Sequence, residues 1–86
     1  MRELLVDPNA LEDLQWWVRH DRRTALKILE LLEEICRSPF TGRGKPEALK
    51  YDLAGCWSRR ITQEHRLVYE VTEKAVRVLA CRYHYQ

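Results

Sequence analysis

Glu47, Arg66 and His84 are the residues of this chain whose types together could carry a reaction. A carboxylate can take a proton, a guanidinium can hold an oxyanion in its planar fork, and an imidazole titrates near neutrality and can return a proton. That set suits cleavage of a phosphodiester that carries its own nucleophile, as RNA does in its 2′-hydroxyl. The reaction needs a base at that hydroxyl, positive charge for the phosphorane, and an acid for the departing 5′-oxygen. Arginine can supply the charge without a metal. Glu47 is the natural base, being the one carboxylate at the mouth of a basic segment. Lys50 and Arg60 would support Arg66 at the phosphate, and Tyr85 would stack a base or position the phosphate.

The basic segment shows when charge is counted by region. Residues 1–36 hold five Lys/Arg and eight Asp/Glu, net −3, whereas residues 37–66 hold seven and three, net +4. Residues 67–86 add +1, so the overall +2 hides a basic block carried by an acidic half. A local basic patch attracts phosphate, and an acidic half limits indiscriminate binding. Within the block, residues 38–46 (Ser-Pro-Phe-Thr-Gly-Arg-Gly-Lys-Pro) read as an irregular loop. Its Arg43 and Lys45 sit among glycines, where backbone N–H groups and cations can surround an anion. The spacing of a P-loop is absent.

Other chemistry-bearing residues read as structural. Cys36, Cys56 and Cys81 are odd in number and widely spaced, which suits buried reduced thiols. No His-x-x-x-His or Cys-x-x-Cys pattern occurs, so no metal and no cofactor are expected. His20 suits a helix C-terminal cap, His65 a turn, and Trp16, Trp17 and Trp57 a core.

The elements that must position the candidates follow from periodicity. Glu3-Leu4-Leu5-Val6 reads as a first strand. Asp7 then caps a helix with Pro8 at its first position, and Leu11, Leu14, Trp17 and Val18 follow at helical spacing. Asp21 caps a second helix with an apolar stripe of Ala25, Ile28, Leu29, Leu32, Ile35 and Cys36, stopped at Ser38-Pro39. Strands are expected at 47–51, 56–62, 66–72 and 75–84, joined by short turns as an antiparallel meander. The reading is an α+β fold, with an N-terminal strand and a two-helix hairpin packed on a twisted antiparallel sheet.

Strand parity sorts the faces. Leu67, Tyr69, Val71, Leu79, Cys81 and Tyr83 are expected toward the helices. Arg60, Arg66, Arg82 and His84 would share the open face. Arg59 has core parity, so an edge or bulge would be needed to turn it outward. Like charges gathered on one face call for an anion, and RNA phosphate is the natural one.

The length of 86 residues points to one domain, 1–86, which buries only about 60% of its unfolded surface. No apolar run approaches a membrane span, and Asp7, Glu12 and Asp13 interrupt anything like a signal peptide. No membrane association is expected, and the expected location is cytoplasmic.

Four segments carry a resemblance: Ser38 to Lys50; Gly55-Cys56-Trp57-Ser58-Arg59-Arg60-Ile61; Glu64-His65-Arg66-Leu67-Val68-Tyr69; and Ala80-Cys81-Arg82-Tyr83-His84-Tyr85. In this order they resemble the YoeB/Txe family of RelE-type toxins. The likeness spans almost the whole chain in order of elements and is densest from residue 38. It implies a microbial-RNase-like α+β fold and the toxin of a type II toxin–antitoxin pair. It also implies mRNA cleavage at the ribosomal A site and neutralisation by a YefM/Phd-type antitoxin. By position, Glu47 matches the family's general base, Arg66 its phosphate-stabilising arginine and His84 its general acid. Lys50, Arg60 and Tyr85 match auxiliary positions, and Arg59, Lys45 and Arg82 extend the RNA-binding set. Family members commonly end at the tyrosine, whereas Gln86 follows it here. A homodimer is compatible with the resemblance. The alternative is a non-enzymatic module on the same scaffold, a gyrase inhibitor of the ParE branch or a plain RNA-binding domain.

Overall fold

The computed structural model describes residues 1–83. In chain order these form β1 (Glu3–Val6), α1 (Pro8–His20), α2 (Arg22–Arg37), β2 (Glu47–Ala48), a 3-10 turn (Tyr51–Leu53), β3 (Cys56–Arg60), β4 (Arg66–Val71) and β5 (Ala75–Ala80). The helices start and stop where the sequence signals them. Asp21 accepts from the Thr24 backbone at 3.1 Å and from its hydroxyl at 2.7 Å, which satisfies an otherwise free N–H at the start of α2. His20 Nδ1 donates to the Trp16 carbonyl at 2.8 Å and closes α1. Asp7 stands at the N-cap of α1 but spends its carboxylate on Arg77 of β5, at 2.7 and 3.1 Å.

β2 to β5 form the antiparallel meander, and the sheet order is β1-β5-β4-β3-β2. β1 joins beside β5 in parallel, so the sheet is mixed rather than wholly antiparallel. Parity did not reveal this, because β1 pairs with a strand about seventy residues away. All four strands of the meander are also shorter than expected, β2 and β5 most of all. β2 stops at Ala48, because the chain turns at Lys50 and Tyr51 takes a left-handed φ of 58°. β5 stops at Ala80.

Both helices pack on one face of the sheet. Ala10 and Trp17 of α1 and Ala25, Ile28, Leu31, Leu32, Ile35 and Cys36 of α2 meet Ile61, Leu67, Tyr69, Val76, Val78 and Cys81. Leu29 is not in that stripe. It is 48% exposed, and Leu31 takes the place on the flank nearer Ile61. Leu11 and Val18 are likewise exposed, because α1 is rotated to present Ala10, Asp13, Leu14 and Trp17 inward. Two bonds fix that rotation: Trp17 Nε1 donates to the Cys81 carbonyl at 2.8 Å, and the Cys81 N–H donates to Asp13 at 3.0 Å.

The expected parity holds for β4 and fails for β5. Val68 pairs with Ala80 while Tyr69 pairs with Val78, which leaves Leu79 as a one-residue bulge. Before the bulge, the even residues Val76 and Val78 face the helices. After it, the odd residue Cys81 does. Leu79 instead packs on the opposite face with Leu49, Cys56 and Val68. Tyr83, expected in the core, lies past the end of the strand and is exposed.

Replacing Trp17 by Phe keeps most of the apolar area but leaves the buried Cys81 carbonyl without its donor. The expected loss is about 1–3 kcal/mol of stability in urea unfolding, with the fold retained.

Candidate active site

The face of the sheet turned away from the helices collects the candidates. Register places Glu47 of β2 opposite Ser58 of β3, and Arg60 of β3 opposite Arg66 of β4. Paired residues point to the same side, so the four form one cluster. Arg66 Nη2 lies 3.6 Å from Glu47 Oε1, with the arginine side chain 14% and the carboxylate 57% exposed. Arg66 Nη1 also donates to Ser58 Oγ at 3.2 Å. The guanidinium is therefore held on two sides while its partner carboxylate faces solvent. A carboxylate able to take a proton and a fork able to hold an anion thus stand close enough together to meet one ligand.

Sequence parity puts Ser58 on the same face as Arg60 but gives it no role. It is fully buried, and its hydroxyl aims Arg66. The signal was a small polar residue at an open-face position facing Glu47, which becomes readable only once the β2–β3 register is known.

Lys50 is exposed just beyond Glu47, at the rim of a cavity of about 430 Å³ lined by residues 47–53. Lys45 is exposed in the loop before it. His84 and Tyr85 lie outside the described residues, as does Gln86. The chain leading to them is tied beside Arg66. The Arg66 N–H donates to the Tyr83 carbonyl at 3.0 Å, and the Tyr83 N–H donates to His65 Nδ1 at 2.7 Å. His65, expected to be structural, accepts that bond while packing edge-on to Trp17.

Two residues assigned to RNA do not reach the open face. Arg82 follows Cys81 onto α1, where its guanidinium stacks 3.7 Å from the Trp16 ring centroid. The strand that would have aimed it beside Arg66 has already ended at Ala80. Arg59 is fully buried, as its parity implied, with no bulge to turn it out. Its guanidinium donates to the carbonyls of Ser38 at 2.6 Å, Thr41 at 2.8 Å and Arg43 at 3.2 Å, and its Nε donates to the Tyr69 hydroxyl at 3.1 Å. Tyr69 passes its own proton to the Pro39 carbonyl at 2.7 Å. Glu34 stands 3.5 Å away as counter-charge. Arg59 thus organises the loop that delivers Glu47 rather than touching a ligand.

The loop's glycines complete that docking. A Cβ on Gly42 would fall 2.1 Å from a Glu34 carboxylate oxygen, and one on Gly44 would fall 2.9 Å from the Arg60 carbonyl. Both also have positive φ. Positions 42 and 44 therefore suit glycine, which lets the loop lie against Glu34 and β3.

The three cysteines are buried, and burial pushes the Cys81 thiol up to about 12, so it is no nucleophile near neutral pH. Among the described residues, no group of three or more His, Cys, Asp or Glu could hold a metal, and no helix is long and apolar enough to cross a membrane.

Comparison with known proteins places this geometry. A family model described as the YoeB-like toxin of bacterial type II toxin–antitoxin systems matches residues 6–85. The chain belongs to that family. Toxin YoeB of Escherichia coli (strain K12) is 49% identical over 83 residues, covering 96% of this chain and 99% of the relative. A solved YoeB/ParE toxin from Agrobacterium tumefaciens superposes with a TM-score of 0.92 at 46% identity, covering 96% and 99% of the two chains. YoeB of Staphylococcus aureus, solved as a dimer, gives 0.88 at 42%, covering 98% of each chain. In its heterotetrameric complex with YefM it gives 0.87 at 42%, covering 99% of each. A chain of the RelBE2 complex of Mycobacterium tuberculosis gives 0.75 at 21% identity, covering 96% and 98%, and shares the fold. The YoeB-like chain studied is thus a toxin of a type II toxin–antitoxin system, built as two helices on a five-stranded mixed sheet.

Two outcomes follow for this YoeB-like site. The backbone N–H of Arg43 foremost, then the guanidinium groups of Arg43 and Arg59, hold the Glu34 carboxyl below the usual glutamate range against the opposing effect of burial. A depressed carboxyl contributes stability that is full above its unfolded pKa, about 4.3, and is lost as pH falls through the lower folded value. Glu34→Gln is expected to lower stability at neutral pH and to flatten the acid side of a pH-dependent urea profile. Ser58→Ala should leave the fold intact and free the Arg66 fork. Sulfate titrated against the Arg66 side-chain NMR signals should bind more weakly by about tenfold or more, since one hydrogen bond to a charged group is worth about 1.5–3 kcal/mol.

Proposed function

We propose that this toxin is an endoribonuclease that cuts mRNA at the ribosomal A site by general acid–base catalysis. The observation that carries the reading is the Glu47–Arg66 pair at 3.6 Å, with Arg60 directly across from Arg66. Glu47 takes the proton of a ribose 2′-hydroxyl, and the resulting alkoxide attacks the adjacent phosphorus. The P–O5′ bond breaks, leaving a 2′,3′-cyclic phosphate on one fragment. His84 gives its proton to the departing 5′-oxygen. Arg66, aimed by Ser58, stabilises the charge that builds on the phosphorane, which is where fixed donors lower a barrier most. Arginine does here what a metal ion does in other nucleases, so the mechanism needs no metal or other cofactor. Lys50, Arg60 and Lys45 attract and seat the strand, and Tyr85 stacks a base or positions the phosphate.

The solved complex of S. aureus YoeB with YefM supports a YefM-type antitoxin as partner, and the S. aureus YoeB dimer supports a homodimer. Ribosome and mRNA as partners imply action in the cytoplasm.

Primer extension on mRNA from a translation extract tests the reading. Glu47→Gln and His84→Gln should each lower the cleavage rate by about 10²- to 10⁴-fold, the usual worth of a general acid or base. Arg66→Ala should lower it comparably, by loss of oxyanion stabilisation. Wild-type rates in Glu47→Gln and His84→Gln would overturn the assignment. Inhibition of purified gyrase with no RNA product would favour the non-enzymatic alternative.

A further inference from the structure

The open face does not use all the positive charge near it. A separate cavity of about 610 Å³ opens where the 38–46 loop, the end of β3 and α2 meet. Lys27 of α2, Arg43 and Lys45 of the loop, and Arg60 of β3 line it, with Thr62 and Gln63 adding polar groups and no carboxylate among the lining. That volume suits a nucleotide-sized group. Arg43 is paired with Glu34 at 3.0 Å. Lys27, Lys45 and Arg60 have no carboxylate within ion-pair distance among the described residues.

Three details suggest that the charges are placed rather than merely exposed. Lys27 Nζ donates one hydrogen to the Ile61 carbonyl at 2.5 Å, which fixes the ammonium at the cavity and leaves two donors free. Lys45 has a left-handed φ of 51°, a strained conformation in which glycine or asparagine would sit more easily. The Arg60 N–H donates to the Gly44 carbonyl at 2.6 Å, locking the loop that carries Arg43 and Lys45 onto the strand that carries Arg60. Arg60 also lies across from Arg66. It therefore belongs to both the cavity and the cleavage face.

We propose that this cavity is a second phosphate site, in which Lys27 and Lys45 hold an RNA backbone phosphate beyond the one at Arg66, with Arg60 bridging the two. The proposal rests on the nuclease reading only for the phosphate at Arg66. The ligand chemistry, a phosphodiester of single-stranded or ribosomal RNA, has two sources: the strand being cut and the ribosome.

Binding without turnover tests it. The probes are a fluorescent single-stranded RNA with 2′-O-methyl riboses, which cannot be cleaved, read by anisotropy, and vacant bacterial ribosomes, read by co-sedimentation. Lys27→Met and Gln63→Glu should each weaken binding about three- to tenfold. Lys27→Met should also lower the slope of log affinity against log salt by about 0.7, the value for one phosphate contact on a single strand. Gln15→Glu, on the exposed side of α1, is the control and should leave both probes unaffected. Weakening on the free RNA assigns the cavity to the substrate strand; weakening confined to ribosomes assigns it to ribosomal RNA. Either supports the site. Should Lys27→Met lower the urea midpoint by releasing Ile61, Gln63→Glu decides alone, since its side chain makes no hydrogen bond among the described residues. Wild-type binding of both probes by Gln63→Glu would overturn the proposal. A wild-type chain that binds both probes but cuts no mRNA would overturn the nuclease reading and leave this one standing.

Discussion

The buried guanidinium of Arg59 is the interaction on which the functional side of the molecule depends. Taking an isolated cation out of water costs several kcal/mol even after relaxation, and that cost is offset only when the hydrogen-bonding groups are satisfied. Here three loop carbonyls, a tyrosine hydroxyl and the Glu34 carboxylate surround it. The reciprocal consequence is that residues 38–46, with almost no secondary structure of their own, are tied to the sheet through these bonds. Their inward carbonyls have found donors, as buried backbone acceptors must. Because Glu47 begins immediately after this loop, the location of its carboxylate on the open face is set by a residue buried on the other side of the sheet.

A division of labour between two arginines follows. Arg59 and Arg60 are neighbours on β3 and point to opposite sides of the sheet. One cation serves the architecture inside the fold, and the next faces outward on the open side. The same alternation separates Ser58, which aims Arg66, from Trp57, which packs against the helix-side core. A five-residue strand thus serves the core and the open face on alternate positions, so insertion or deletion of one residue there would exchange them.

The helices, the meander and the open-face placement of Arg60 and Arg66 were legible in the sequence, because each rests on a local period or a short turn. What was not legible depends on distant partners. The Leu79 bulge exists to let β5 satisfy Val68 and the helix-side core together, and nothing in Ala75–Ala80 announces it. Arg82 looked like a ligand-binding cation by parity, but α1 captures the chain at Cys81 and turns it onto Trp16. Leu29 and Leu31 both fit a helical stripe, and only the sheet's position under α2 chose between them. Arg59 is instructive in the other direction. Its parity gave the correct face, and only the expectation that arginines serve RNA suggested otherwise.

The pairing of β1 with β5 has a consequence for the timing of synthesis. The first strand to leave the ribosome forms its backbone ladder only with the last strand of the sheet, in parallel, and Asp7 waits for Arg77 in the same way. Such long-range closure is slow and cannot be anticipated by local folding. The helix hairpin precedes the whole meander in the chain, so β1 has no strand partner until β5 has been made. The edge that anchors α1 and the end of β5 closes only when nearly all of the polypeptide has emerged. The toxin's sheet is therefore completed late in synthesis or after it, by the meeting of its two most distant strands.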